Sequence, residues 1–461
     1  MYPTSEATRI QANLIRARSK QSGYLDVFNA ITSDVLLDKI ESLLPEHRER
    51  LFPPTETLAM FVSQALSADR SCQAIVNQSA VQRLTGGLPG CSTHTGGYCR
   101  ARQKLPLEMA SGLARHLGQL MHQHTPSDWR WYQRKVRIVD GTTLTMPDTP
   151  ANQAAYPQQK AQAAGLGFPI CRVLGITCLA SGALLDAAIG PFKGKGGDEQ
   201  SLLRSLQETL DSDDILLGDA FFATYFFIAE MQAKGVDLLM EQMGARKRVT
   251  DFRRGQRIGQ RDHLITLEKP KRKPLWMSDA QYQSAPGSIT VREFKAGGKI
   301  MVSTMTCPQT YPKDALKRLY QQRWSVELDI RDIKDTMGMG ILSCKTPDMV
   351  VREIWVYLLA YNLIRFMMVQ SALLFDILPR RISFKHSLQL WLAMQGKIDQ
   401  LDPDQYLDLL RLISQQTVGN RPGRIEPRAV KRRAKPFPLL MKPRPIARME
   451  VLKNGHPKKL K

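Results

Sequence analysis

Cysteine is scarce in this chain. Seven cysteines in 461 residues, odd in number and scattered, argue against a disulfide framework and suit reduced thiols in a cytoplasm. Cys91, His94 and Cys99 form the only metal-like grouping, and their spacing matches no common zinc pattern. A secretory leader is not expected, because MYPTSEATRI has no basic start followed by an apolar run. Nor is a membrane span expected. The two most apolar stretches, 165–192 and 354–378, are interrupted by Arg172 and Asp186, and by Asn362, Arg365 and Gln370. Glycine-rich GPFKGKGGDEQ lacks the Gly-Lys-Ser/Thr ending of a P-loop, which argues against a nucleotide cofactor. Acidic residues are also in short supply: 43 Asp and Glu against 65 Lys and Arg leave a net charge of +22. Such an excess favours a polyanionic partner, nucleic acid before an anionic membrane surface.

The charge is uneven. Residues 421–461 hold 14 Lys or Arg against Glu426 and Glu450, so this stretch carries +12 of the total. Its seven prolines predict an extended tail suited to tracking phosphates rather than a packed helix. At the other end, residues 1–125 read as a helical, DNA-binding domain. IRARSKQSGYLDVFNAITSDVLLDKIESLL and PTETLAMFVSQALSADRSCQAIVNQSAVQRL both space apolar residues three and four apart, and Pro53 and Pro54 suit a first helical turn.

From about residue 134 the pattern is α/β. KVRIVDGTTLTMPD alternates, with Val136, Ile138 and Asp140 on one strand face. CRVLGITCLASGALLDAAIG reads as two strands joined at Ser181-Gly182, and Asp198 as the N-cap of a helix over DEQSLLRSLQETL. DILLGD is a short buried strand ending at Asp219; the helix ATYFFIAEMQAK and the strand VDLLM follow. Residues 244–310, rich in Gly, Pro, Arg and Lys with short alternating runs, predict a β-rich insertion between two halves of a core, 134–243 and 311–400. A helix is predicted from Ala315 to about Met337, and another over 349–373. Residues 401–461 form a C-terminal segment with the basic tail.

Three acids fall in telling places: Asp140 on the first strand, Asp219 at the end of a later one, Glu327 on the helix after the insertion. Carboxyl ends of strands in α/β sheets are where ligands bind. Carboxylates that converge disfavour mutual ionisation unless they share protons or a cation, and hard oxygen donors suit Mg²⁺ or Mn²⁺. Two such ions support in-line displacement at phosphorus, and the basic composition gives phosphate a reason to be there. On a continuous helix Tyr320, Arg323, Glu327 and Lys334 fall within an arc of about 60°, a polar seam beside an apolar stripe of Leu319, Val326, Ile330 and Ile333. A solvated ion-pair face is the plain reading of such a seam. Beside a metal-holding Glu327, Arg323 and Lys334 would instead reach flanking phosphates, and Tyr320 would donate its hydroxyl to another.

The spacing Y-(2)-R-(3)-E-(6)-K, with Asp140 in VDGTT and Asp219 in LLGD, resembles the DDE transposases of the bacterial IS-four type. GGYCRARQKLP, TMPDTPANQAAYPQ, GKGGDEQSLLR and CKTPDMVVREIWVYLLAYNLIR carry the resemblance from about residue 50 to 445. It implies an RNase H-like catalytic domain interrupted by the β-rich insertion. It also implies Mg²⁺-dependent (or Mn²⁺-dependent) cleavage and strand transfer of double-stranded DNA at element ends, through a hairpin intermediate and as a homodimer, in a bacterial cytoplasm in association with the nucleoid. Asp140, Asp219 and Glu327 would hold two ions, and Tyr320, Arg323 and Lys334 would grip DNA. Trp276, the insertion's only tryptophan, would stack a flipped base, the alternative being an anchor for a small core. One departure is Ala220, where many relatives have Arg directly after the second Asp. It motivates a second reading, a catalytically impaired or domesticated DNA-binding derivative. A simple structure-directed nuclease would not require so long an additional chain.

Overall fold

The computed structural model describes residues 42–43, 51–85, 90–160, 163, 165–194, 196–242, 250–394, 403–419 and 442–455. The first predicted helical stretch, up to residue 41, and residues 420–441 of the basic tail lie outside them. The chain opens with helices α1 (Pro54–Leu66), α2 (Cys72–Thr85), α3 (Gly96–Lys104) and α4 (Leu107–Gln123). Pro53 is the N-cap of α1 and Pro54 its first residue, where a missing N–H costs nothing.

Next come β1 (Val136–Thr145), the short α5 (Pro150–Ala155), β2 (Ile170–Cys178) and β3 (Leu184–Pro191). After them stand α6 (Glu199–Arg204), β4 (Ile215–Gly218), α7 (Tyr225–Lys234) and β5 (Asp237–Glu241). Asp198 caps α6 by accepting from the Ser201 N–H, but α6 ends at Arg204 and a separate 3₁₀ turn covers Gln207–Thr209, so the single helix read there is broken. Strands β6 (Gln256–Gly259) and β7 (Asp262–Glu268), helix α8 (Asp279–Ser284), and strands β8 (Ser288–Ala296) and β9 (Lys299–Ser303) make the β-rich segment. β9 pairs antiparallel with β5, so the segment extends the core sheet instead of forming a separate one. The nine strands run in the order β3-β2-β1-β4-β5-β9-β8-β7-β6. β1 is antiparallel to β2 and parallel to β4, and β4 is parallel to β5.

Two further corrections concern helices. The continuous helix expected over 315–337 is three pieces: α9 (Lys313–Gln321), α10 (Trp324–Arg331) and a π-helical turn over Asp332–Thr336. At the joint, Arg323 N–H bonds the Tyr320 carbonyl and Val326 N–H that of Arg323, tight i→i+3 bonds that an even 100° spacing does not foresee. The tail is not wholly extended either, because α14 (Arg444–Asn454) is a helix. Pro443 and Pro445 sit at its start, where proline is tolerated. Arg444 anchors it 3.0 Å from Asp148, with its guanidinium 3.9 Å from the centre of the Phe168 ring.

Helices cover both sheet faces. On one, α1, α4 and α11 (Pro347–Phe375) share a core with α12 (Phe384–Met394) and α13 (Pro403–Gln415). On the other, α6 and α7 pack on Val139, Leu174, Ile176, Leu216 and Leu238. A third cluster joins Val136, Ile138, Ile215 and Leu217 of the strands to Leu316, Leu319 and Val326 of α9 and α10. α11 is long and apolar enough to cross a membrane, but 89% of its most apolar window is buried against protein. Its Asn362 is fully buried and ties three elements together, donating to the Ala114 and Leu184 carbonyls and accepting from the Leu184 N–H. Any side chain at Gly118 would collide with the Leu184 carbonyl, so glycine sets the close approach of α4 to β3.

Candidate functional site

Strand periodicity places the first acid. Side chains two apart share a sheet face, so Asp140 faces the same way as Val136 and Ile138, toward α9 and α10. The parallel pairing Ile138↔Leu217 places the second: two residues further along each chain stand Asp140 on β1 and Asp219 just past β4. Glu327 comes from α10, held on this face by Val326 beneath it.

The Arg323 guanidinium lies between two of these acids, 2.9 Å from Glu327 Oε1 and 3.5 Å from Asp140 Oδ2. Burial raises the Asp140 pKa above the usual carboxylate range. The Gly141 N–H, 2.8 Å from Oδ1, and Arg323 oppose that rise, while the charges of Asp219 and Glu327 add to it. Asp219 accepts from the Phe221 N–H at 2.8 Å, which fixes its carboxylate at the strand end. Burial works to depress Arg323, but Tyr320, Asp140 and Glu327 outweigh it and hold its pKa up. Tyr320 is pushed up to about 12, by burial first and then by Glu241 and Asp219, so its hydroxyl stays a donor at neutral pH.

Lys334 reaches the site by another route than a straight helix would give. From the π turn its ammonium donates to Thr142 Oγ1 and the Thr143 carbonyl oxygen, both at 3.0 Å, on β1 just beyond Asp140. Burial lowers its pKa. Arg323 and Lys334 thus reach β1, with Glu327 bonded to Arg323, while Tyr320 stands nearer Asp219 and Glu241, even though their helix is broken twice. Trp276 does not join them. It is 41% exposed, with the Arg204 guanidinium 3.8 Å from its ring centre and Phe226 edge-on at 6.4 Å, while the neighbouring Met277 is the buried residue. Ala220 stands between Asp219 and the exposed Phe221, so no cation directly follows the second acid.

One acid escaped sequence reasoning. Glu199, the first residue of α6, extends its carboxylate over Gly141, where a Cβ would lie 2.8 Å from Glu199 Oε1. Its pKa is raised by burial against the pull of Arg172, with the charges of Asp219 and Asp140 adding to the rise, so it lies within electrostatic reach of both. The available signal was glycine directly after Asp140, a position that leaves room for a neighbour.

Chemically, the site offers several oxygen donors close enough to perturb one another, bridged by a single guanidinium. Among the described residues no three His, Cys, Asp or Glu side chains stand placed to enclose a metal ion. The donor set nevertheless fits a hard divalent cation, because Asp140 and Glu327 already share a positive group.

The family match gives the class, a transposase domain. Residues 131–363 match the family model described as transposase DDE domain, and the chain belongs to the DDE transposases, of the IS4 type. Transposase InsG for insertion sequence element IS4 from Escherichia coli (strain K12) is 27% identical over 405 residues, 86% of this chain and 89% of that one. Among solved structures, the cryo-EM structure of the piggyBac transposase synaptic complex with hairpin DNA matches with a TM-score of 0.41 at 9% identity, over 87% of this chain and 86% of that one.

Proposed function

We propose that this chain binds the double-stranded ends of an insertion sequence and catalyses metal-dependent cleavage and strand transfer there, on an RNase H-like core. The strand order β3-β2-β1-β4-β5, three antiparallel strands and then two parallel ones, supports that fold assignment. The observation that carries the functional reading is the meeting of residues from three distant segments: Asp140 and Asp219 at equivalent places on adjacent parallel strands, and Glu327 joined to Asp140 through Arg323.

Asp140, Asp219 and Glu327 would hold Mg²⁺ or Mn²⁺. Ions there supply activation of the attacking oxygen and charge stabilisation on the leaving one. The remaining work falls to the chain's own side chains. Arg323, displaced from its carboxylates, presents a guanidinium fork to a phosphate next to the cut. Tyr320, kept neutral, donates its O–H to a phosphate oxygen. Lys334, positioned by Thr142 and Thr143, gives a point charge further along β1. A hairpin intermediate would need a base held out of the helix, and half-exposed Trp276 offers an aromatic surface for it. Synapsis of two ends by a homodimer completes the reading, and no nucleotide is required because phosphodiester bonds are exchanged.

The test is cleavage of a linear duplex carrying the element's end, with Mg²⁺ present. Asp140→Asn, Asp219→Asn and Glu327→Gln should each abolish strand cleavage, with end binding kept within a few-fold. Cleavage surviving in any one of them means that acid has been misassigned. End binding without cleavage by the unaltered chain would favour the impaired-derivative reading that Ala220 motivates.

A further inference from the structure

On the other side of the α9–α10 joint from the acids lies a cavity of about 670 Å³. His122, Arg130, Lys135 and Arg381 line it, with Gln322 and Ser325 from the joint itself. Five Lys or Arg side chains border the space and no acidic one does. Two of them are already balanced, Arg134 by Asp213 and Asp237 and Arg380 by Asp329. The aspartates just outside are engaged as well, Asp211 and Asp214 with Arg137. Among the described residues the Arg130 guanidinium donates to the Thr125 carbonyl oxygen and has no ion pair, and Lys135 and Arg381 form none either. Arg134 and Arg137 bring two charges to the four of Asp211, Asp213, Asp214 and Asp237, and three of those aspartates line the neighbouring groove with Arg130 and Lys135, so Arg381 is the cavity cation left without an acid among the described residues.

His122 is the second and independent sign. It is 1% exposed, and neither ring nitrogen has a hydrogen-bond partner. A buried polar group left in that state costs about 1–3 kcal/mol, so a ligand that accepts its N–H would relieve a standing penalty. Burial, with Arg137, Lys135 and Arg130 nearby, pushes its pKa down to about 3, so the ring is a neutral donor rather than a further cation.

We propose that this cavity is a second phosphate-binding site, taking a backbone phosphodiester of the DNA strand that runs from the acid site around the α9–α10 joint. The proposal rests on the DNA-cleaving reading above for the identity of the strand. Guanidinium forks and an imidazole N–H match phosphate oxygens, and the volume suits a nucleotide-sized occupant better than a lone small anion. Position supports a continuous strand: Gln322 and Ser325 face the cavity from either side of Arg323, whose own guanidinium faces the acids. Val136, at the cavity wall, is four residues along β1 from Asp140, about 13 Å at ~3.3 Å per residue. That corresponds to about four nucleotides at ~3.4 Å per step along one strand. Val418 and Gly419 also border the cavity, and the chain beyond them carries +12 over residues 421–461, so its own tail is a poor occupant by charge.

The experiment is a binding measurement without divalent metal, so it does not depend on cleavage. Duplexes carrying a single neutral methylphosphonate at successive positions are titrated with the unaltered chain and with Lys135→Glu/Arg381→Glu, changes at a half-buried and an exposed side chain, once the variant's melting temperature matches that of the unaltered chain. One phosphate, on the order of four nucleotides from the cut, should cost the unaltered chain about tenfold in affinity when neutralised and cost the double variant nothing. The variant's logarithmic salt dependence should also fall by about 1–2. Losses that simply add at every position would overturn the site. An inorganic phosphate arm separates the sources: if millimolar phosphate raises the melting temperature of the unaltered chain but not of the variant, while DNA affinity is the same in both, the cavity takes a free anion and the DNA assignment is wrong.

Discussion

Arg323 stands 3.5 Å from the carboxylate of Asp140, 183 positions earlier in the chain, while its other amino group bonds Glu327. One guanidinium therefore neutralises the two acids that a divalent ion would bridge. Metal entry and Arg323 release are linked, because both cations satisfy the same oxygens. Arg323→Ala is expected to tighten Mn²⁺ binding to the DNA-free chain by on the order of tenfold, about 1.4 kcal/mol, as read by calorimetry. The same variant should lose about a hundredfold in cleavage, since the phosphate contact goes with it. Unchanged or weaker Mn²⁺ affinity would show that guanidinium and metal do not compete.

Much of this site is legible in the sequence, for reasons that can be named. Val136, Ile138 and Asp140 obey the two-residue period of a strand, and DILLGD ends where a buried strand must, so Asp140 could be placed on a strand and Asp219 at a strand end without coordinates, although β1 runs on past Asp140 to Thr145. The seam from Tyr320 to Lys334 was legible in membership but not in geometry. Its even spacing does not register the i→i+3 bonds at Arg323 or the π turn at Asp332–Thr336. Long-range pairing is invisible for another reason: nothing local in KIMVS says that β9 will pair with β5 and extend the sheet. The helix at Arg444–Asn454 was hidden by prolines whose position, not number, decides their effect.

α10 is held from below by charge. Asp329 is fully buried and accepts from Arg365 at 2.9 Å and from Arg380 at 3.0 Å, while Arg365 also donates to the Tyr361 hydroxyl at 2.8 Å. This network ties the helix carrying Glu327 to α11. Asp329→Ala leaves two guanidinium groups without their shared acceptor, one of them deeply buried, and is expected to cost about 3–5 kcal/mol in urea unfolding. A loss below about 1 kcal/mol would mean that water replaces the carboxylate and that the network does not fix α10.

His122 gives the chain a pH dependence of definite sign. Its pKa is low in the folded state, about 3, against an ordinary 6.5, because burial and the nearby Arg137, Lys135 and Arg130 disfavour the charged ring. Unfolding lets the ring take up a proton, so the unfolded state binds more protons between those values. The stability from keeping it neutral is whole above about pH 6.5 and is lost as pH falls toward 3. His122→Leu should flatten the acid limb of the stability curve in that window and leave stability at pH 8 equal or higher. An unaltered acid limb would place the acid sensitivity in the carboxylates instead.

Glu199 is the remaining test of how many carboxylates the site uses. Its Oε1 lies 2.8 Å from where a side chain on Gly141 would begin, and the charges of Asp219 and Asp140 help to raise its pKa, yet its ion-pair partner Arg172 is 3.5 Å away on β2. If Glu199 positions the metal-holding acids or water, Glu199→Gln should lower cleavage by about ten- to a hundredfold with end binding unchanged. Gly141→Ala offers a complementary perturbation. Its methyl group meets only the far end of a flexible side chain, so the fold should survive while the Glu199 carboxylate is driven out of place. The two changes should then be strongly non-additive: in a Glu199→Gln background, Gly141→Ala should cost little more. Additive losses would mean that the methyl group harms the site through Asp140 alone and that Glu199 serves only to pair with Arg172.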